Sequence, residues 1–291
     1  MQDLRTIKQR MGAIRNIRKI ADAMKMVSTV KYWRLQDALR RSRAIVEEMK
    51  TFVPPALASA SGGDGDGATR DGEGLTLVLA FFPHRGMCGP LTQNLAQAVA
   101  GWYPPDPGRC FVVAGKKGAG ALPEARYPRQ EDAPVLSTEG VDDDALLALA
   151  RFVAHGVTTG RFTRVEAVAA GFHNLMRQTP MRVQLVPLPT PEPTPGEDGP
   201  PATDGAPEVE LEPDAATLMG LFLPLYLECE LRRLLHECLV SEHASRMTAM
   251  DNASKNAQEL LEQFRLEYNK IRQSKITLEL MEIISGSEAL Q

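Results

Sequence analysis

From Leu225 to Ser285 the chain contains neither glycine nor proline, and a run of that length has few ways to fold. Glycine and proline are the residues that most readily interrupt a helix, so the stretch, closed by Gly286, predicts one continuous helix. At about 1.5 Å per residue it would be roughly 90 Å long, more than the diameter of an ordinary domain. Such a helix needs a partner to lie against. The apolar residues Met250, Ala253, Ala257, Leu261, Phe264, Tyr268 and Ile271 recur every three or four positions, which is the spacing of a coiled-coil seam.

The partner is at the other end of the chain. Residues 1–53 predict a second long helix, with Leu4, Ile7, Met11, Ile14, Ile17, Ile20, Met24 and Val27 as its apolar stripe and only Gly12 interrupting before Pro54. Its opposite face is basic: residues 1–50 carry thirteen Lys/Arg against five Asp/Glu. Two readings of that face stand side by side, a solvated surface or one that slides past an acidic partner. A DNA-binding helix fits less well, because in zipper proteins the basic region precedes the heptads, whereas here the apolar seam runs through the basic stretch.

Between the two helices the pattern changes. Residues 54–74, rich in Gly, Ala, Ser and Asp, read as a polar linker. Leu75–Phe82 (LTLVLAFF) is a short continuous apolar run, expected as a buried strand. The turn PHRGMCGP and a helix from Leu91 follow, then a strand at Cys110–Gly115, a turn at GKKGAGAL, and a helix over 142–155. Two further strands are expected, one in RVEAVAAGFHN and one at Arg182–Pro189. Alternating strands and helices predict a Rossmann-like α/β domain. From Val186 to Ala216 there are nine prolines, eight acidic residues and no Lys or Arg, a solvated segment. The expected division is a helix segment 1–58, a linker 59–74, an α/β domain 75–188, a Pro/acid-rich loop 189–214 and a helix segment 215–291. The fold class is α/β with long helices: an antiparallel coiled coil of the terminal helices with the α/β domain inserted.

No self-contained active site emerges. AGKKGAGA lacks the G-x-x-x-x-G-K-[ST] spacing of a phosphate loop, and HRGMCGP is not G-x-G-x-x-G. Cys88 heads a predicted helix, where a thiolate is stabilised or a small side chain packs. His236 and His243 share one element at a spacing that does not suit a metal pair. The four cysteines form no C-x-x-C, which suits a reduced cytosolic chain. No apolar run is long enough to span a bilayer. The expectation is therefore no catalytic residue, no cofactor, no metal and no direct membrane insertion.

Three stretches carry a resemblance: LRTIKQRMGAIRNIRKIADAMKMVSTVK near the start, RGMCGPLTQNL after the first strand, and SEHASRMTAMDNASKNAQELLEQFRLEYNKIRQSKITLELMEIISGSEAL at the end. Together, in this order, they resemble the gamma subunit of the F-type ATP synthase, the rotor of its central stalk. The ITLELMEIISG block is the most specific of them. The resemblance implies a coiled coil inside a hexamer of alpha and beta subunits, with the α/β domain beside the epsilon subunit and the membrane rotor ring of c subunits. It implies a protein at the cytoplasmic face of the bacterial membrane that transmits torque, the ATP chemistry residing on the beta subunits, and no nucleic-acid partner.

Carried over residue by residue, the resemblance implies that Arg272 and Gln273 hydrogen-bond a loop of beta and that Met24 and Lys25 pass its acidic lever segment. It implies that Thr277, Glu279 and Glu282 help fix the two helices together and that Glu212 faces the polar loops of the ring. The final residues, ISGSEALQ, would sit in an apolar sleeve. The alternative is a coiled-coil scaffold or nucleic-acid adaptor using the basic N-terminal face on phosphates, with affinity falling steeply in salt.

Overall fold

The computed structural model describes residues 4–51, 74–188 and 215–288. Most of the expected linker and the whole Pro/acid-rich loop, with Glu212, lie outside the described residues. In order, the elements are α1 (Leu4–Thr51), β1 (Leu75–Phe81), α2 (Leu91–Trp102), β2 (Arg109–Ala114), α3 (Lys116–Ala121), α4 (Asp143–Thr158), β3 (Phe162–Asn174), β4 (Arg177–Val186) and α5 (Ala215–Glu288). The chain divides into two compact units, Met1–Val30 with Arg246–Gln291, and Lys31–Ser245. Each long helix contributes to both units.

In the unit Lys31–Ser245 four strands form one sheet in the order β2-β1-β3-β4. β1 pairs in parallel with β2 and with β3, and β3 pairs antiparallel with β4. Being central, β1 buries both faces, which is why its sequence is an unbroken apolar run. Leu77, Leu79 and Phe81 join Leu146, Leu149 and Val153 of α4 and Tyr226, Leu227, Leu231 and Leu234 of α5. Val78, Ala80 and Phe82 pack instead with Leu91, Leu95 and Val99 of α2. Asp142 caps α4, accepting from Ala145 N at 3.2 Å, with Asp143 and Asp144 in the first turn against the positive end of the dipole.

Three expectations are corrected. GKKGAGAL is not all turn, because Lys116–Ala121 is the short helix α3. A Cβ at Gly118 would collide with Val113 and the Phe82 ring, so glycine there serves close packing and does not break the helix. The fourth strand begins at Arg177, five residues before its expected start, and runs through Pro180. β4 is the sheet edge, where proline's missing donor costs no ladder bond. Finally, α5 does not close at Gly286: it runs from Ala215 to Glu288, and it contains Pro224. Leu223, Tyr226 and Leu227, at most 1% exposed, hold the helix in place through tertiary packing that outweighs the proline's local cost.

A carboxylate is buried against this sheet. Glu166 of β3 is 2% exposed; it accepts from Tyr103 Oη at 2.7 Å and from Arg182 at 2.6 and 3.1 Å. Burial pushes its carboxyl up, but the Arg182 and Tyr103 hydrogen bonds outweigh this and hold it below the usual range. Arg182→Ala should cost about 1–3 kcal/mol at neutral pH, toward the lower end because Arg182 is partly exposed. A group with a depressed folded pKa adds stability above its ordinary value, near 4.3, and loses it as pH falls through the folded value. The wild-type advantage in thermal or urea unfolding should therefore shrink on acidification through that window.

Candidate functional site

The unit of Met1–Val30 and Arg246–Gln291 is a helical pair. Along α1 the buried or half-buried positions include Ile7, Met11, Ile14, Arg18, Ala21, Lys25 and Ser28, alternating steps of four and three, a strict heptad seam. Ile17, Ile20 and Val27, expected in the stripe, are 56%, 59% and 58% exposed. They flank the true seam, whose small and polar members a search for large aliphatics passes over. On α5 the expected seam is found: Met250 and Ala257 are buried and Ala253, Leu261, Phe264, Tyr268 and Ile271 are half-buried.

Side-chain bonds fix the pairing as antiparallel. Arg18 bonds Gln258, Ser254 Oγ donates to Asp22 at 2.6 Å, Lys25 Nζ reaches Asp251 at 2.5 Å, and Thr29 Oγ1 donates to Met247 Sδ at 3.1 Å. Every advance of three or four along α1 is matched by an equal retreat along α5. Continued to the first described residue, this register sets Leu4 opposite Arg272.

That geometry separates the residues implied by the resemblance. Met24 is half-buried beside the seam. Lys25 is held in the pair by Asp251 and remains 44% exposed. Arg272 and Gln273 are exposed, where the described part of α1 ends. Thr277, Glu279 and Glu282 are exposed, and no described α1 residue lies opposite them. Thr277 Oγ1 donates to Gln273 O at 2.9 Å within its own helix. Among the described residues, Arg18, Asp22, Asp251, Ser254 and Gln258 join the pair. Their signal was the seam spacing itself, which their polar character hid. Along the same end Ile276, Leu278, Leu280, Met281, Ile283 and Ile284 are all exposed.

The strand order 2-1-3 places a topological switch point at the end of β1, where open α/β sheets bind ligands. Here the position is filled from within the unit. Glu242 of α5 accepts from His84 N at 2.9 Å and Arg85 N at 3.4 Å, so a carboxylate of this chain takes the donors that an anionic ligand would need. Cys88 is a packed residue, 2% exposed. His236 Nδ1 is 2.7 Å from Ser42 Oγ, and burial pushes its pKa down. Among the described residues no cluster of His, Cys, Asp or Glu is arranged to hold a metal, and no helix is long and apolar enough to cross a membrane.

Hydrogen bonds from Lys25 and Lys255 lower the Asp251 carboxyl to about 2. Lys25→Ala should move its titration midpoint toward the ordinary aspartate value near 3.9, as followed by carboxyl NMR shifts in the full chain. Because the depressed pKa adds stability only above the ordinary value, the variant should lose its disadvantage between about pH 4 and pH 2.

A family model described as ATP synthase matches residues 3–290. The chain is 32% identical over 296 residues to the ATP synthase gamma chain of Geotalea daltonii, and 33% identical over 297 residues to that of Geotalea uraniireducens, covering 100% of both chains in each case. In fold it is similar to a chain of the Euglena gracilis mitochondrial ATP synthase in its OSCP/F1/c-ring structure, with TM-score 0.66, 20% identity and coverage of 99% and 94% of the two chains. A chain in the rotor of the same enzyme gives TM-score 0.61 at 17% identity, covering 94% and 98%. Nothing in these similarities supports the scaffold or nucleic-acid reading. The chain belongs to the ATP synthase gamma-chain family.

Proposed function

We propose that this chain is the central-stalk rotor subunit of an F-type ATP synthase, coupling ion-driven rotation of a membrane ring to conformational change in catalytic beta subunits. It carries no catalytic residue of its own, and it works at the cytoplasmic face of a bacterial membrane as a peripheral part of the complex. The observation that carries the reading is the end of α5. Past Arg272 the helix continues with large apolar side chains exposed and no described α1 residue beside it, which suits a helix enclosed by other subunits. Alpha and beta subunits surround the helical pair; epsilon and the c ring meet the α/β domain, with Glu212 directed to the ring's polar loops. Differential contact of an asymmetric helical pair with open and closed beta subunits is what couples rotation to chemistry.

Arg272 and Gln273 bond a loop of beta in this reading, and Met24 and Lys25 pass its acidic segment. The guanidinium's planar fork suits Arg272 to that task. A charge-assisted hydrogen bond contributes about 1.5–3 kcal/mol, so Arg272→Glu with Gln273→Ala should reduce ATP synthesis in assembled membranes by about tenfold or more. Unchanged synthesis removes both residues from the account. Affinity purification of the tagged chain from mildly solubilised membranes tests the whole reading. Alpha, beta and epsilon in fixed ratio, with ATP hydrolysis in the eluate, are expected; the chain recovered only with itself overturns it.

A further inference from the structure

Within the unit Lys31–Ser245, α5 from Leu234 onward is buried on every side, yet that stretch carries polar residues that face the sheet. Their partners are backbone atoms. Phe172 N donates to Glu237 Oε2 at 2.8 Å, and Ser241 Oγ donates to Ala170 O at 2.9 Å, both in β3. Glu242 accepts from His84 N and Arg85 N just past β1, and Ser245 Oγ donates to Cys88 O at 2.7 Å in the same turn. Glu237, Ser241 and Glu242 are at most 3% exposed.

α1 closes the arrangement. Arg43 Nε donates to Glu237 Oε1 at 2.8 Å, and Arg43 Nη2 donates to Phe172 O at 2.9 Å. The peptide groups of one β3 residue are thus held on the nitrogen by α5 and on the oxygen by α1, while Arg43 and Glu237 pair with each other. Tyr32, Leu39, Phe172, Val240 and Ala244 pack around this point.

Apolar packing between a helix and a sheet is non-directional, so it resists separation better than it resists turning or sliding. Hydrogen bonds to peptide groups are directional and weaken steeply with misalignment. The partners on β3, Phe172 N and Ala170 O, are part of the sheet, and those at His84, Arg85 and Cys88 belong to the turn that leaves β1; peptide groups cannot follow a rotating helix as a free side chain does. Buried bonds are also not replaced by water when they break, which makes each costly to lose.

We propose that Glu237, Ser241, Glu242 and Ser245, with Arg43, form a polar key that fixes the rotation and axial position of α5 on β3 and on the turn after β1, so that torque passes between the long helices and the α/β domain without slip. These are positioning residues. The proposal rests on the rotor reading and adds to it the place where torque enters the α/β domain.

The test uses the assembled enzyme in inverted membranes and compares ATP-driven ion pumping with ATP hydrolysis in the same preparation. Glu237→Ala with Glu242→Ala should leave hydrolysis in place while the pumping-to-hydrolysis ratio falls several-fold. Glu242→Gln, which keeps an acceptor oxygen, should restore much of the ratio. A merely structural role would lower both activities together with the amount of assembled complex and leave their ratio alone, and that result overturns the proposal. Should the glutamate variants fail to assemble, Ser241→Ala with Ser245→Ala, which removes two donors with little change in volume, decides by the same ratio. The rotor reading fails separately and earlier: the wild-type chain purifies without alpha and beta subunits, and the key then has no torque to carry.

Discussion

A single α-helix satisfies its own backbone but cannot bury its own side chains, and at 74 residues α5 has far more apolar surface than one domain core can cover. Everything else in the chain follows from how that surface is shared. In the unit Lys31–Ser245 the helix is enclosed by the sheet, α4 and α1, and reads as apolar almost all round. In the unit Met1–Val30 with Arg246–Gln291 its only described partner is α1, so burial narrows to one heptad seam. Past Arg272 the described residues offer no partner, and the exposed leucines and isoleucines remain. One helix thus passes from core element to coiled-coil strand to an end with its apolar side chains exposed.

The seam illustrates how polar groups specify what apolar groups merely favour. Ala, Ser and Met at the interface would tolerate a shift of one heptad with little loss, since coiled-coil registers repeat every seven residues. The cross-pairs of Arg18, Asp22, Lys25 and Thr29 with Gln258, Ser254, Asp251 and Met247 do not repeat elsewhere and so select one register. Most of these pairs are partly exposed, and their contribution to stability is correspondingly small. Their contribution to uniqueness is larger, because a slipped pair would place Arg18 and Lys25 against the wrong side chains.

The long helices and the α/β class of the inserted domain were legible because they rest on periodicity and on runs free of glycine and proline. The α5 seam was read residue by residue from large side chains spaced at three and four. The α1 seam was only half legible: Ile17, Ile20 and Val27 are the bigger aliphatics, but it is Ala21 and Ser28 that are buried. Pro180 and Pro224 both sit inside regular elements, one being harmless on a sheet edge and the other overridden by burial of its neighbours. Of the residues carried over by resemblance, Thr277, Glu279 and Glu282 have no described α1 residue opposite them, so their role in pairing rests on the resemblance alone.

Glu237, Ser241, Glu242 and Ser245 left no trace in the sequence reading, and the reason is physical. On a helix, glutamates and serines look like a solvated face, because hydropathy registers the side chain and not its destination. Their partners are peptide groups, which every residue possesses, so no complementary residue type marks the other half of the contact. The end of β1 shows the consequence most clearly. A glycine-containing turn after a parallel strand at a switch point suggests a phosphate site from topology alone; the N–H groups of His84 and Arg85 instead meet Glu242. The α/β fold keeps its anion-binding geometry and applies it to a carboxylate on its own longest helix. A crevice that holds a diffusible ligand in other proteins here becomes a fastening, and a fastening at that position ties the helix to the central strand of the sheet.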